Sequence, residues 1–119
     1  MTMRQWLVFT TLASSVLCLV AAAAQDQGQV REFTVSGNRY AFSPASIPVN
    51  KNDLVKITFT AQDMPHSFTI DDYRIVKRAG GGQTVTFEFR ADRAGSFTFY
   101  CNLSTDEKCR DMKGTLTVR

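Results

Sequence analysis

From residue 30 onward, apolar residues recur at every second position in short runs, and turn-forming residues separate the runs. Successive side chains of a strand point to opposite faces, so this rhythm dictates half-buried β-strands. Residues 54–60 show it best. Val55, Ile57 and Phe59 fall on one side, with Leu54, Lys56, Thr58 and Thr60 on the other. In residues 84–90, Val85, Phe87 and Phe89 share a face. Shorter runs lie at 30–36, 40–42, 47–49, 66–70, 73–76, 96–100 and 115–118, and Pro48 confines its run to an edge or a bulge. Gly37-Asn38, residues 50–53, Gly80-Gly81-Gly82 and Ala94-Gly95 supply the breaks. Helical periodicity is absent apart from a candidate turn at 105–112. The pattern specifies an all-β domain of seven or eight strands, a sandwich or a small barrel.

The beginning of the chain follows a different rule. Arg4 supplies a positive charge, residues 6–20 are mostly apolar, and four alanines, Ala21 to Ala24, follow. Charge, apolar stretch and small-residue site in that order describe a secretory signal, with Ala22 and Ala24 fitting the cleavage pattern. The expected division is a signal peptide at 1–24 and one domain at 25–119, periplasmic or extracellular, with no membrane insertion once the signal is removed. The competing reading is an uncleaved anchor, since the apolar stretch could just span a bilayer. Leu17 is too bulky to precede a lipidated Cys18. Cleavage removes Cys18 and leaves Cys101 and Cys109 where a disulfide can persist.

Composition then narrows the chemistry. A chain of 119 residues with a net charge of +3 and 21% charged residues is neither disordered nor a basic nucleic-acid arm. No serine sits in a nucleophile-elbow motif, and Gly80-Gly81-Gly82 lacks the Lys-Ser/Thr of a phosphate loop, so the chain does not read as an enzyme. Asp71-Asp72 reads as a solvated turn. Arg74, Lys77 and Arg78 form a small basic cluster that either aids solubility or docks an acidic redox partner. His66 is the single histidine, which excludes any site needing several histidines from one chain. The soft donors beyond the signal are Met64, His66, Cys101, Cys109 and Met112, in two clusters: Asp63-Met64-Pro65-His66-Ser67-Phe68 and residues 99–114. Each has a plain structural reading as well. Cys101 and Cys109 can pair as a disulfide contributing about 2–3 kcal/mol, Met112 can pack in the core, and His66 can be a hydrogen-bonded histidine.

The joint pattern resembles the cupredoxins. His66 in Met-Pro-His-Ser-Phe matches that family's early histidine at a strand start. Cys101 in Phe-Tyr-Cys matches its cysteine at the end of the penultimate strand, and Met112 in Met-Lys-Gly-Thr-Leu its methionine before the last strand. The likeness extends to Tyr40-Ala41-Phe42-Ser43-Pro44 and covers most of residues 30–119. It implies a Greek-key β-sandwich and a role in copper binding, by electron transfer or Cu(I) handling. The expected partner is a redox or copper-transfer protein, and the chain is expected to be a monomer. The loop length is similar to that of the dinuclear copper domain of cytochrome oxidase, but Thr105 stands at the middle cysteine position and Cys109 at the second histidine position. The ligand set implied is therefore His66, Cys101, Cys109 and Met112, a soft set that favours one copper ion as Cu(I). The alternative from another class is a non-metal binding module with the same fold, stapled by Cys101–Cys109.

Overall fold

The computed structural model describes residues 28–119, in which nine strands follow one another: β1 (Val30–Asn38), β2 (Ala41–Ser43), β3 (Ser46–Val49), β4 (Leu54–Ala61), β5 (His66–Ile70), β6 (Ile75–Ala79), β7 (Thr84–Arg90), β8 (Gly95–Tyr100) and β9 (Lys113–Val118). They form two sheets, one ordered β2-β1-β4-β7 and the other β3-β9-β8-β5-β6. Most neighbours are antiparallel, but β1 runs parallel to β4 and β3 parallel to β9, because the chain crosses between sheets. The all-β sandwich anticipated from the alternation is the observed fold. The expected signal at 1–24, its cleavage after Ala24 and Cys18 lie outside the described residues. Among the described residues no helix is long and apolar enough to cross a membrane.

The strand count is nine where the sequence suggested seven or eight: every run read from the sequence corresponds to a strand, the run at 40–42 being the three-residue β2. The run expected at 73–76 divides: Asp71–Tyr73 form a 3-10 turn, Arg74 takes a left-handed conformation at φ 54°, and β6 begins at Ile75 and continues through Lys77 and Arg78. β6 is an edge strand hydrogen-bonded only to β5, and charged residues are what such an edge carries. The candidate helical turn at 105–112 is a 3-10 turn, Glu107–Asp111, capped by Asp106, whose carboxylate accepts from the Lys108 amide at 3.0 Å.

The sheets meet on a layer of phenylalanines. Val55, Ile57 and Phe59 of β4 are fully buried, as their alternation requires. Phe68 of β5 touches Phe42, Phe59, Phe87 and Phe99, with ring centroids 4.7–5.8 Å away and Phe99 stacked on it. Gly114 of β9 pairs with Phe99 of β8, and a Cβ there would overlap the Phe99 ring. The glycine is what lets β9 lie under that ring.

One buried carboxylate ties the start of β1 to the β3–β4 turn. Asp53 is 2% exposed and accepts the Gln29 amide at 2.9 Å and the Asn50 amide at 2.8 Å. The Gln29 hydrogen bond is the largest influence on its carboxyl, and with the Asn50 bond and Arg31 it outweighs burial and holds the pKa below the ordinary value. A carboxyl with a depressed folded pKa stabilises the fold above the unfolded value of about 3.9, and that contribution is lost as pH falls through the folded value. Asp53→Asn is expected to lower stability by about 1–3 kcal/mol near neutral pH. The gap from the unsubstituted protein should narrow below about pH 4. Denaturant unfolding of both proteins across that range measures it.

Candidate metal centre

The four candidate ligands come from two strand ends and the loop between them. His66 opens β5, on the inward face it shares with Phe68 and Ile70. Cys101 directly follows β8, Cys109 lies in the 3-10 turn, and Met112 directly precedes β9. All four are buried, at 0% or 1% exposure. The β8–β9 ladder extends past the strand ends, since the Cys101 amide donates to the Met112 carbonyl at 3.2 Å. The Met112 amide donates to the Cys109 carbonyl at 3.0 Å, closing the 3-10 turn against the same point.

The two cysteines are joined. A Cys101–Cys109 disulfide spans the loop with Cα atoms 5.2 Å apart. Each sulfur also accepts a backbone N–H, Ser67 to Cys101 Sγ at 3.4 Å and Leu103 to Cys109 Sγ at 3.2 Å. The Ser67 contact brings Cys101 against the residue next to His66. Ser67 holds the connection further: its hydroxyl donates to Asn102 Oδ1 and accepts from the Asn102 amide, both at 2.7 Å. These contacts bring Cys101 and Cys109 beside the start of β5, and the Cys101–Met112 backbone bond brings Met112 to the same strand end. Met64, the weaker candidate, is only half-buried in the turn before β5.

His66 is the chemically informative member. Its Nε2 lies 2.7 Å from Asp63 Oδ1. An ionised carboxylate only accepts, so Nε2 carries a proton, and in the neutral form of the ring the lone pair is then on Nδ1. That Nδ1 is buried and has no hydrogen-bond partner. A buried polar atom left without a partner costs about 1–3 kcal/mol, and a bound ion is one of the reasons proteins retain such atoms. Room for the ring comes from Gly37 of β1: a Cβ there would stand 3.1 Å from the Phe59 ring and 3.3 Å from His66 Cδ2.

Asp63 and Arg39 went unassigned in the sequence reading. Asp63 accepts from its neighbour's amide, Met64 N–H, at 2.9 Å on Oδ1, and from the Arg39 amide at 3.1 Å on Oδ2, with Arg39 Nε 3.2 Å from the same oxygen. Burial pushes its carboxyl up, but the His66 and Arg39 hydrogen bonds outweigh that and leave it below its ordinary pKa. The Asp-x-x-His spacing was visible in the sequence as a possible carboxylate–imidazole pair. The Arg39 contact, 24 residues away, was not.

The bare Nδ1, the two sulfurs with amide donors and the buried thioether suit a soft ion, because N–H donors stabilise thiolate charge. The disulfide form, however, has no thiolate to offer. Among the described residues, no group of three or more His, Cys, Asp or Glu side chains is arranged to hold a metal ion. The fit therefore belongs to the reduced protein. The buried cluster is also no open cleft: a cavity of about 440 Å³ lies on the outer face of β8 and β9 beside Asp71, Tyr100, Arg110 and Lys113, and none of the four candidate ligands lines it.

Solved structures share this architecture. A heme-copper terminal oxidase chain superposes with a TM-score of 0.66 at 16% identity, over 75% of this chain and 65% of that one, so this chain spans about two thirds of its length. The metal-binding domain of the Cu(I)-exporting P-type ATPase CopA from Streptococcus pneumoniae D39, solved with Cu(I), gives 0.64 at 18% identity over 76% of this chain and 86% of that one. Auracyanin A, a "blue" copper protein from Chloroflexus aurantiacus, gives 0.64 at 17% identity over 76% of this chain and 99% of that one. At such identities these likenesses establish the fold. The family model for the cupredoxin-like domain matches residues 9–118, and the chain belongs to that family.

Proposed function

We propose that this protein binds one copper ion as Cu(I) through His66, Cys101, Cys109 and Met112 after the Cys101–Cys109 disulfide is reduced, and that it handles copper in an exported compartment. The observation that carries the reading is the buried His66 Nδ1 with no partner, held at the end of the sandwich where Cys101 meets β5. Copper-binding neighbours of the same fold support it, above all the CopA domain solved with Cu(I). Reduction takes two electrons and two protons, which a dithiol protein partner supplies by exchange, becoming a disulfide itself. The thiol protons leave when the sulfurs take the metal. Copper would supply a soft, sulfur-seeking centre. The chain's own part is to present Nδ1, stabilise two thiolates through the Ser67 and Leu103 amides, and exclude water. The signal at 1–24 carries the domain out of the cytoplasm, and the mature chain works as a monomer that passes copper to a protein partner.

The disulfide itself favours a second reading, a metal-free binding module of the cupredoxin-like fold stapled at this loop. One measurement separates the two. Thiols are counted with and without reductant, and each form is titrated with Cu(I) and Cu(II) while the visible spectrum is recorded. In the chain freed of residues 1–24, and so of Cys18, copper handling requires no thiols and weak binding as isolated, then two thiols and tight, colourless Cu(I) binding after reduction. A reduced protein that takes up no copper leaves the stapled module. An intense thiolate-to-copper band with a reversible one-electron couple would instead indicate electron transfer.

A further inference from the structure

We propose that Asp63 is a positioning residue that readies His66 for metal by fixing its proton on Nε2 and turning the Nδ1 lone pair into the buried site. The part concerning copper rests on the function proposed above; the part concerning the ring does not. Three observations carry it. Asp63 Oδ1 meets Nε2 at 2.7 Å, the opposite ring nitrogen has no partner, and the carboxylate is fixed from the other side by Arg39. Asp63 precedes His66 by three residues, and its side chain is 19% exposed against 1% for the histidine. The carboxylate thus stands at the rim and reaches inward. Arg39 lies in the turn between β1 and β2, so the histidine of one sheet is oriented from the other sheet through Asp63. Its backbone N–H makes the bond at 3.1 Å, and that donor survives any side-chain change except proline.

A hydrogen bond to the far nitrogen of a ligating histidine sets tautomer and ring orientation, and its loss typically weakens metal binding 10–100-fold, as an order-of-magnitude guide. Asp63 has the geometry for this, since a carboxylate can only accept from Nε2–H. Asparagine can still accept through Oδ1 but carries no charge, whereas alanine can do neither.

The test begins on the purified, metal-free protein as isolated. Nitrogen NMR of the His66 ring reads which nitrogen holds the proton, in the unsubstituted protein, Asp63→Asn and Asp63→Ala. The expected result is one tautomer, protonated on Nε2, in the first two, and a mixture or the opposite tautomer in Asp63→Ala. After reduction, competition with a Cu(I) chelator is expected to show affinity lowered about 10–100-fold in Asp63→Ala and largely restored in Asp63→Asn. The same single tautomer in Asp63→Ala, or a proton on Nδ1 in the unsubstituted protein, overturns the positioning role. If the ring behaves as expected while none of the proteins binds copper, the orienting role stands and the copper reading falls.

Discussion

Cys109→Ser is expected to weaken Cu(I) binding by the reduced protein by more than about 100-fold, beyond what the loss of a supporting hydrogen bond produces. The reason is the ligand count. With a single histidine in the chain, removal of one sulfur leaves His66, Cys101 and a thioether, and a serine hydroxyl is a poor partner for a soft ion. The same substitution removes the disulfide, which for so short a loop contributes about 2–3 kcal/mol in the chain-entropy model. The two readings of the chain therefore diverge in one variant. Copper handling predicts a loss of affinity under reducing conditions, where neither protein has a disulfide and their stabilities should be close. The stapled module predicts a loss of stability under oxidising conditions and no copper binding in either protein. Chelator competition under reductant, beside thermal unfolding without it, reads both. Affinity unchanged by Cys109→Ser removes Cys109 from the site. Cys109→His completes a His, Cys, His set with an axial Met, and is expected to give a coloured Cu(II) form.

What the sequence disclosed and what it withheld follow from the range of the interactions. β4 was legible because alternation is local: each of Val55, Ile57 and Phe59 declares its face through its immediate neighbours. The four donors could be named because strand ends and a connecting loop are also read locally, and family likeness placed them together. β6 starts two residues and ends three residues later than the alternation suggests, because an edge strand packs few side chains, and Lys77 and Arg78 carry no alternation to read. The Asp63–Arg39 contact depends on β1 meeting β4 in parallel, a pairing of segments about two dozen residues apart that no local pattern announces. The state of Cys101 and Cys109 is a different matter. Their spacing permits both a disulfide and two thiolates, and the choice is made by electrons that the surroundings supply.

The other large effect is expected at Phe68. It is fully buried and makes ring contacts with four other phenylalanines drawn from both sheets. Truncation to alanine removes those contacts and leaves a cavity the neighbours fill only in part, at a cost of about 3–5 kcal/mol. A domain of this size has total stability of only about 5–15 kcal/mol, so the melting temperature should fall by roughly 15–30 °C. Phe68→Leu keeps most of the volume and is expected to cost less than about 2 kcal/mol. The position matters beyond stability. Phe68 lies two residues after His66 on the same face of β5, and its stacked partner Phe99 lies two residues before Cys101. That stacked pair packs across β5 and β8, neighbours in one sheet, just beneath the histidine and the cysteine. Thermal unfolding of both variants, together with NMR of the His66 ring in Phe68→Leu, tests the two consequences separately. A fall of only a few degrees in Phe68→Ala would mean that the ring layer is not what joins the sheets. An undisturbed His66 in Phe68→Leu is expected, since the leucine still separates the sheets at that point and Asp63 still holds the ring from the rim.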